Sequence, residues 1–135
     1  MFIIRKQFKF EMSHRLVTCY SDACKNIHGH SYILEVFFKN QFLNIDGMVI
    51  DFGEVKDKMG GYIDSWDHCL ALCKHDREWI ELAVSQKTKL KVLDYNPTAE
   101  LMARDMYHAF KEVFPQTYKT RLHETATGYA EYYEE

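Results

Sequence analysis

Residues 2–14, FIIRKQFKFEMSH, and residues 28–38, HGHSYILEVFF, decide the fold. In the first stretch the even positions read Phe2, Ile4, Lys6, Phe8, Phe10, Met12 and His14, and the odd positions Ile3, Arg5, Gln7, Lys9, Glu11 and Ser13. Apart from Ile3 and Lys6 this is period-two alternation, the pattern of a strand with one buried face. In the second stretch His28, His30, Tyr32, Leu34, Val36 and Phe38 share one parity. His28 and His30 therefore point to the same side, one pleat apart. An antiparallel hairpin of the two segments brings the end of the first to the start of the second and turns His14 toward the other two imidazoles. Three imidazoles at one point, with a fourth position open, are the ligand set of a catalytic Zn²⁺ site. The alternative is three separate polar residues on a half-buried face. Matched parity at meeting strand ends favours the ion.

The totals fit a small globular protein. A length of 135 residues reads as one domain, 1–135, able to bury a real core. Aromatics make up 15% of the chain, which suits a β-rich protein. The formal net charge is -3 and no lysine or arginine run occurs, which argues against a nucleic-acid binder. No apolar stretch is long enough to cross a membrane, and the start, MFIIR, reads as a strand and not as a signal peptide. Four cysteines without a secretory signal point to the cytoplasm, to free thiols and to no structural disulfide.

Beyond the hairpin, Val55, Met59, Tyr62, Ile63 and Trp66 recur at helical spacing, with Asp51 and Glu54 in N-cap and N3 relation. Gly60-Gly61 costs this helix about 1 kcal/mol per glycine relative to alanine. A short helix is readable near Trp79 to Val84, and Lys89 to Leu93 alternates like a short strand. Asn96-Pro97-Thr98-Ala99-Glu100 is a helix start, with Thr98 able to cap and Glu100 at the positive end of the dipole. Leu101, Met102, Met106, Phe110, Val113 and Phe114 follow as a helical stripe, closed by Pro115. Arg121 to Tyr133 reads as a terminal strand or hairpin. The expected class is α+β: a four-stranded antiparallel sheet with two main helices on one face.

Other residues carry candidate chemistry. Cys24 lies four residues before His28. It is either an inert small residue, a fourth ligand closing a structural site, or a thiolate base beside the ion. Cys19 competes for the role but lies farther from the strand ends. Cys69 and Cys73 have helical i, i+4 spacing and read as packed residues. Asp67-His68 is either a solvated helix end or a polarised acid–imidazole pair. Glu124 is either an exposed edge charge or a functional carboxylate among aromatic and threonine neighbours. Arg15 and Lys25 are the cations nearest the Cys24 loop.

These residues resemble, in order, the family of 6-pyruvoyl- and 6-carboxy-tetrahydropterin synthases. The resemblance runs from Phe8 to the C-terminus and rests on Phe10-Glu11-Met12-Ser13-His14, Cys24-Lys25-Asn26-Ile27-His28-Gly29-His30, Gly47-Met48-Val49-Ile50-Asp51-Phe52, Asp67-His68, Asn96-Pro97-Thr98-Ala99-Glu100 and Glu124-Thr125. It implies the T-fold, in which trimers close their sheets into a barrel and pair into hexamers. It implies that His14, His28 and His30 hold zinc and that Cys24 is the proton-abstracting base. Asp67 and His68 match the dyad that assists proton transfer from a neighbouring subunit. Glu124 matches the carboxylate that anchors the pterin, and Thr98 lies where the family contacts it. A carboxylate suits that task because it accepts two parallel hydrogen bonds from the ring's amino group and adjacent N–H.

The implied substrate is 7,8-dihydroneopterin triphosphate. The carboxy branch releases acetaldehyde and triphosphate and feeds queuosine synthesis, whereas the pyruvoyl branch keeps all three side-chain carbons. The chain departs from the family at Leu101, where many members have asparagine. A stretch from Cys69 to Asp94 longer than in compact animal members resembles the bacterial carboxy-forming branch. A folate-related branch has glutamate where this chain has Cys24. Two rivals remain: a non-catalytic zinc module with a closed His₃Cys site, and a different pterin enzyme on the same scaffold.

Overall fold

A computed structural model describes residues 1–135. The predicted hairpin is present: β1, Phe2–His14, and β2, His28–Asn40, pair antiparallel along their whole length. The register sets His14 opposite His28 and Met12 opposite His30. The alternation read from sequence is the burial alternation: Phe8, Phe10, Met12 and His14 of β1 are buried, as are Tyr32, Leu34, Val36 and Phe38 of β2.

Asp51 caps α1, Phe52–Trp66, its carboxylate accepting from the Gly53 N–H at 2.7 Å. Glu54 pairs with Lys58 one turn on, where a capping box would have it reach back. Val55, Met59, Ile63 and Trp66 form the buried stripe of α1. Thr98 caps α3, Ala99–Val113. Its buried stripe is Met102, Ala103, Met106, Tyr107 and Phe110, while Val113 of the expected stripe faces solvent. The chain ends in the hairpin of β5, Thr117–Thr125, and β6, Gly128–Tyr133.

The sheet differs from the four-stranded antiparallel expectation. It has six strands in the order β4-β3-β1-β2-β5-β6. Its added members are β3, Cys69–Cys73, and β4, Leu90–Leu93, which run parallel to β1 and to each other respectively. They are joined by a third helix, α2, Arg77–Ser85. Cys69 and Cys73 are packed as expected but lie on this strand and not on a helix. The cause is two-sided burial. Helices α1 and α3 cover one face over the main core, whereas Leu70 and Leu72 of β3 pack on the other face against Ala83 of α2. A strand covered on both sides shows no alternation to read. Helices are thus on both faces at this end of the sheet.

For function, the important consequence is the setting of β1. Its last residues lie between β2 and β3, with His14 beside Ala71. His14 is fully buried there, at the edge of the core.

Candidate active site

The hairpin brings its three histidines together. Their ligand atoms all lie within 4.8 Å of one another, and the rings of His14 and His28 have centroids 4.6 Å apart. Two backbone carbonyls orient the pair. His14 Nδ1 donates to the Pro97 carbonyl at 2.9 Å, and His28 Nδ1 donates to the Asn26 carbonyl at 2.7 Å. A carbonyl oxygen can only accept, so each neutral ring carries its proton on Nδ1 and presents a bare lone pair on Nε2.

Those two Nε2 atoms stand 3.1 Å apart. Two lone pairs cannot bond to each other, so the contact calls for a positive charge between them. Imidazole nitrogens sharing one tetrahedral ion sit about 3.3 Å apart, given Zn–N bonds of about 2.05 Å. His30 adds a third donor. Its Nε2 is buried with no hydrogen-bond partner, and burial holds the ring below the usual imidazole range, hence neutral, against the opposing pull of Glu124. Carbonyl-held Nδ1 hydrogens behind open Nε2 atoms are the outer-shell arrangement of metal-binding histidines. The residues present therefore fit a divalent cation.

Glu124 stands over this cluster, Oε1 lying 3.3 Å from Nε2 of both His14 and His30. A bulge places it there: β6 partners His123 and Thr125 but skips Glu124, and a bulge re-aims the residue it leaves unpaired. The imidazoles beside it, His14 foremost, hold its carboxyl below the ordinary range, outweighing burial. Tyr32 brings a buried, unpartnered hydroxyl to the same corner.

Cys24 rides on a short 3₁₀ turn, Asp22–Lys25, and is partly exposed. Its protein surroundings raise its thiol: burial first, then Cys19, then the charge of Glu124. A thiolate at neutral pH would need a cation to offset all three. The loop that carries Cys24 is tied in place from several sides. Leu16 N–H donates to the Cys24 carbonyl at 2.9 Å, Val17 N–H donates to Asn96 Oδ1 at 2.9 Å, and Asn96 Nδ2 donates to the Thr18 carbonyl at 3.1 Å. Arg15 donates to the Lys25 carbonyl at 2.7 Å and forms an ion pair with Asp76. Arg15 is thus committed to structure, while Lys25 pairs only loosely with Asp22, at 3.4 Å.

Thr98 accepts from the Leu101 N–H at 3.3 Å as the α3 cap. The preceding residue, Pro97, supplies the carbonyl that orients His14.

Asp67 and His68 are joined to each other, with Nδ1 to Oδ2 at 2.9 Å. Asp67 also accepts from the Glu11 N–H at 2.8 Å, which with His68 keeps its carboxyl below the usual range. His68 holds a left-handed φ of 59° and is largely exposed. It lines a cavity of about 400 Å³ with Glu11, Ser13, Ser31 and one residue of the cluster, His30. None of the dyad's hydrogen bonds or ion pairs reaches Cys24, Glu124 or an imidazole nitrogen of the cluster. Within one chain, the structure gathers His14, His28, His30 and Glu124; Cys24 lies in the adjoining loop, near enough to feel the charge of Glu124, and the dyad makes no bond to the cluster. Sequence reading missed Asn96 as a loop clamp and Tyr32 as a site residue. Asn96 gave a signal, a polar residue before proline, but it read as part of a helix start.

The family model of 6-pyruvoyl tetrahydropterin synthase matches residues 3–135. The chain belongs to that family. Curated relatives include the 6-carboxy-5,6,7,8-tetrahydropterin synthase of Aquifex aeolicus, 34% identical over 98% of this chain and 98% of that one. The enzyme of the same name from Rickettsia bellii is 34% identical over 86% of this chain and 83% of its own. Among solved structures, an uncharacterized protein of Wolinella succinogenes superposes with a TM-score of 0.87 at 19% identity, covering 99% of this chain and 98% of that one. The 6-pyruvoyl tetrahydropterin synthase of Caenorhabditis elegans gives 0.73 at 24% identity, covering 99% and 96%. These last two likenesses show that the chain shares its overall fold with those proteins.

Proposed function

We propose that this chain is a zinc-dependent 6-carboxy-5,6,7,8-tetrahydropterin synthase, a carbon–carbon lyase acting on 7,8-dihydroneopterin triphosphate. The observation that carries the reading is the facing pair of Nε2 lone pairs on His14 and His28, with His30 as third donor. Relatives of full coverage bear that activity in their names. In this reading His14, His28 and His30 hold Zn²⁺. Bound there, the ion supplies Lewis acidity to the substrate's side-chain hydroxyls.

The chain's own residues do the rest. Glu124, ionised beside the cluster, accepts the pterin's amino group and ring N–H. The Thr98 hydroxyl accepts from Leu101 and keeps its hydrogen to donate to the pterin. Cys24 removes the side-chain proton from a loop held at both ends. Asp67 orients His68, which returns a proton in the site of a neighbouring subunit. The exposure of His68, and the absence of any bond from the dyad to its own chain's histidines, support that exchange. Lys25 is the loop cation free to meet triphosphate.

The exchange requires assembly. The sheet has two unpaired edges, β4 and β6, and one face largely free of helices. We infer closure into a trimeric barrel, and trimers paired into hexamers, which leaves no free edge. No helix is long and apolar enough to cross a membrane. We place the single 1–135 domain in the cytoplasm, with no nucleic-acid partner, serving queuosine synthesis.

Mass spectrometry of the products from zinc-loaded protein and 7,8-dihydroneopterin triphosphate tests the reading. A carboxy-pterin with acetaldehyde is expected. A pyruvoyl product would assign the chain to the other branch of its family. No turnover with zinc bound would leave a zinc module without this chemistry.

A further inference from the structure

The proposed function has no task for Cys19, yet the fold brings it to the same carbonyl as Cys24. Residues 16–24 form a closed loop, its ends tied by the hydrogen bond from the Leu16 N–H to the Cys24 carbonyl. Inside the loop the Ser21 carbonyl accepts from two cysteines at once: from the Cys19 thiol at 2.8 Å and from the Cys24 N–H at 3.2 Å. One oxygen thus gathers one cysteine's sulfur and the other's backbone. Asn96 pins Val17 and Thr18 from outside, so the loop is held shut before any reaction. Both thiols are partly exposed, whereas Cys69 and Cys73 are buried in the sheet. Cys19 is also the side chain that bears most strongly on the Cys24 thiol.

We propose that Cys19 and Cys24 are a redox pair, which peroxide converts to a reversible intramolecular disulfide that switches the site off and shields Cys24 from irreversible oxidation. The switching rests on the role given to Cys24 above; the disulfide itself does not.

The chemistry balances in two steps. One thiol gives its sulfur an oxygen from hydrogen peroxide, forming a sulfenic acid and releasing one water. The second sulfur attacks the first, the S–S bond forms, the S–O bond breaks, and a second water leaves. Two thiol hydrogens and two electrons pass to the peroxide. A dithiol such as dithiothreitol reverses the change by exchange and becomes the disulfide itself. In a cytoplasm such a bond is transient, which is where redox-sensing disulfides are found.

The sequence offers a direct readout. Trypsin cuts after Arg15 and Lys25, so both cysteines fall in one peptide, residues 16–25. The full-length zinc-loaded protein is treated with hydrogen peroxide, alkylated with iodoacetamide and digested. The expected result is a 16–25 peptide lighter by two hydrogen atoms and unalkylated, which takes up two alkyl groups after dithiothreitol. Turnover should fall at least tenfold with peroxide and return with the dithiol. In Cys19→Ser, and in Cys19→Ala should serine misfold, basal turnover persists, and peroxide drives Cys24 to a sulfinic acid that dithiothreitol does not restore. Wild-type protein in which Cys24 reaches sulfinic acid while Cys19 stays alkylatable would overturn the pair. So would a disulfide to Cys69 or Cys73. The peptide mass does not depend on activity: a disulfide in a protein with no turnover would overturn the enzymatic reading and leave the pair standing.

Discussion

The Nε2 atoms of His14 and His28 stand 3.1 Å apart, with both Nδ1 hydrogens already given to the carbonyls of Pro97 and Asn26. Two neutral rings tied in this way have no hydrogen left to bridge the pair, which is the arrangement a shared cation completes. Chelation should therefore lower the melting temperature, and zinc should restore it. Free zinc at a thousandfold its dissociation constant stabilises a protein by about 4 kcal/mol. His14→Ala or His28→Ala should remove the response and the bound metal together, as read by calorimetry and elemental analysis. Zinc retained at one equivalent in both variants would place the metal elsewhere.

Asn96 fastens the Cys24 loop through Val17 and Thr18 without touching Cys24. Asn96→Ala should leave the zinc content unchanged and lower kcat about tenfold or more, since a misplaced reacting group forfeits orientation. Hydrogen exchange at residues 17–24 should rise in the same variant. Faster exchange with full kcat would separate loop order from catalysis.

Thr98 has two assignable tasks. Thr98→Ala should cost about 1 kcal/mol as a lost helix cap and should raise KM. Thr98→Asp keeps a capping oxygen but has no hydrogen to donate, so it should recover stability and not KM. If both return together, the residue is a cap alone.

Glu35 supplies the pH dependence on the opposite face. Burial alone would raise its carboxyl, but hydrogen bonds from His123 and Arg5 and the charge of Arg121 outweigh it and hold it below the ordinary value of 4.5. A depressed carboxylate contributes stability in full above its unfolded value and loses it as pH falls through the folded one. Urea melts should accordingly weaken below pH 4.5, and Glu35→Gln should flatten that decline while costing about 2 kcal/mol at neutral pH. An unchanged acid limb in the variant would remove Glu35 as its source.

Gly60 and Gly61 lie inside α1, and a Cβ at either meets nothing within 4 Å. Gly60→Ala and Gly61→Ala should each stabilise the chain by about 0.5–1 kcal/mol by restricting the unfolded state. Thermal melts of the two variants check this directly. Destabilisation would mean that this helix face is covered in the assembled protein.

What was legible in the sequence was what local periodicity encodes. Alternation fixed the faces of β1 and β2, and their shared parity put His14, His28 and His30 on one side. Caps and stripes located α1 and α3, because a capping oxygen and an apolar stripe act within a few residues of one another. Tertiary structure alone decided the rest. The strand β3 is buried on both faces by α1 and α2, so its residues carry no alternation, and its parallel pairing with β1 depends on contacts 57 positions apart. The proton positions of His14 and His28 were set by carbonyls, which every residue has and no sequence pattern marks. Glu124 reached the cluster through a bulge, and Cys19 met Cys24 around one carbonyl of Ser21. Side-chain periodicity names the face a residue occupies; only the folded backbone determines which atoms meet there.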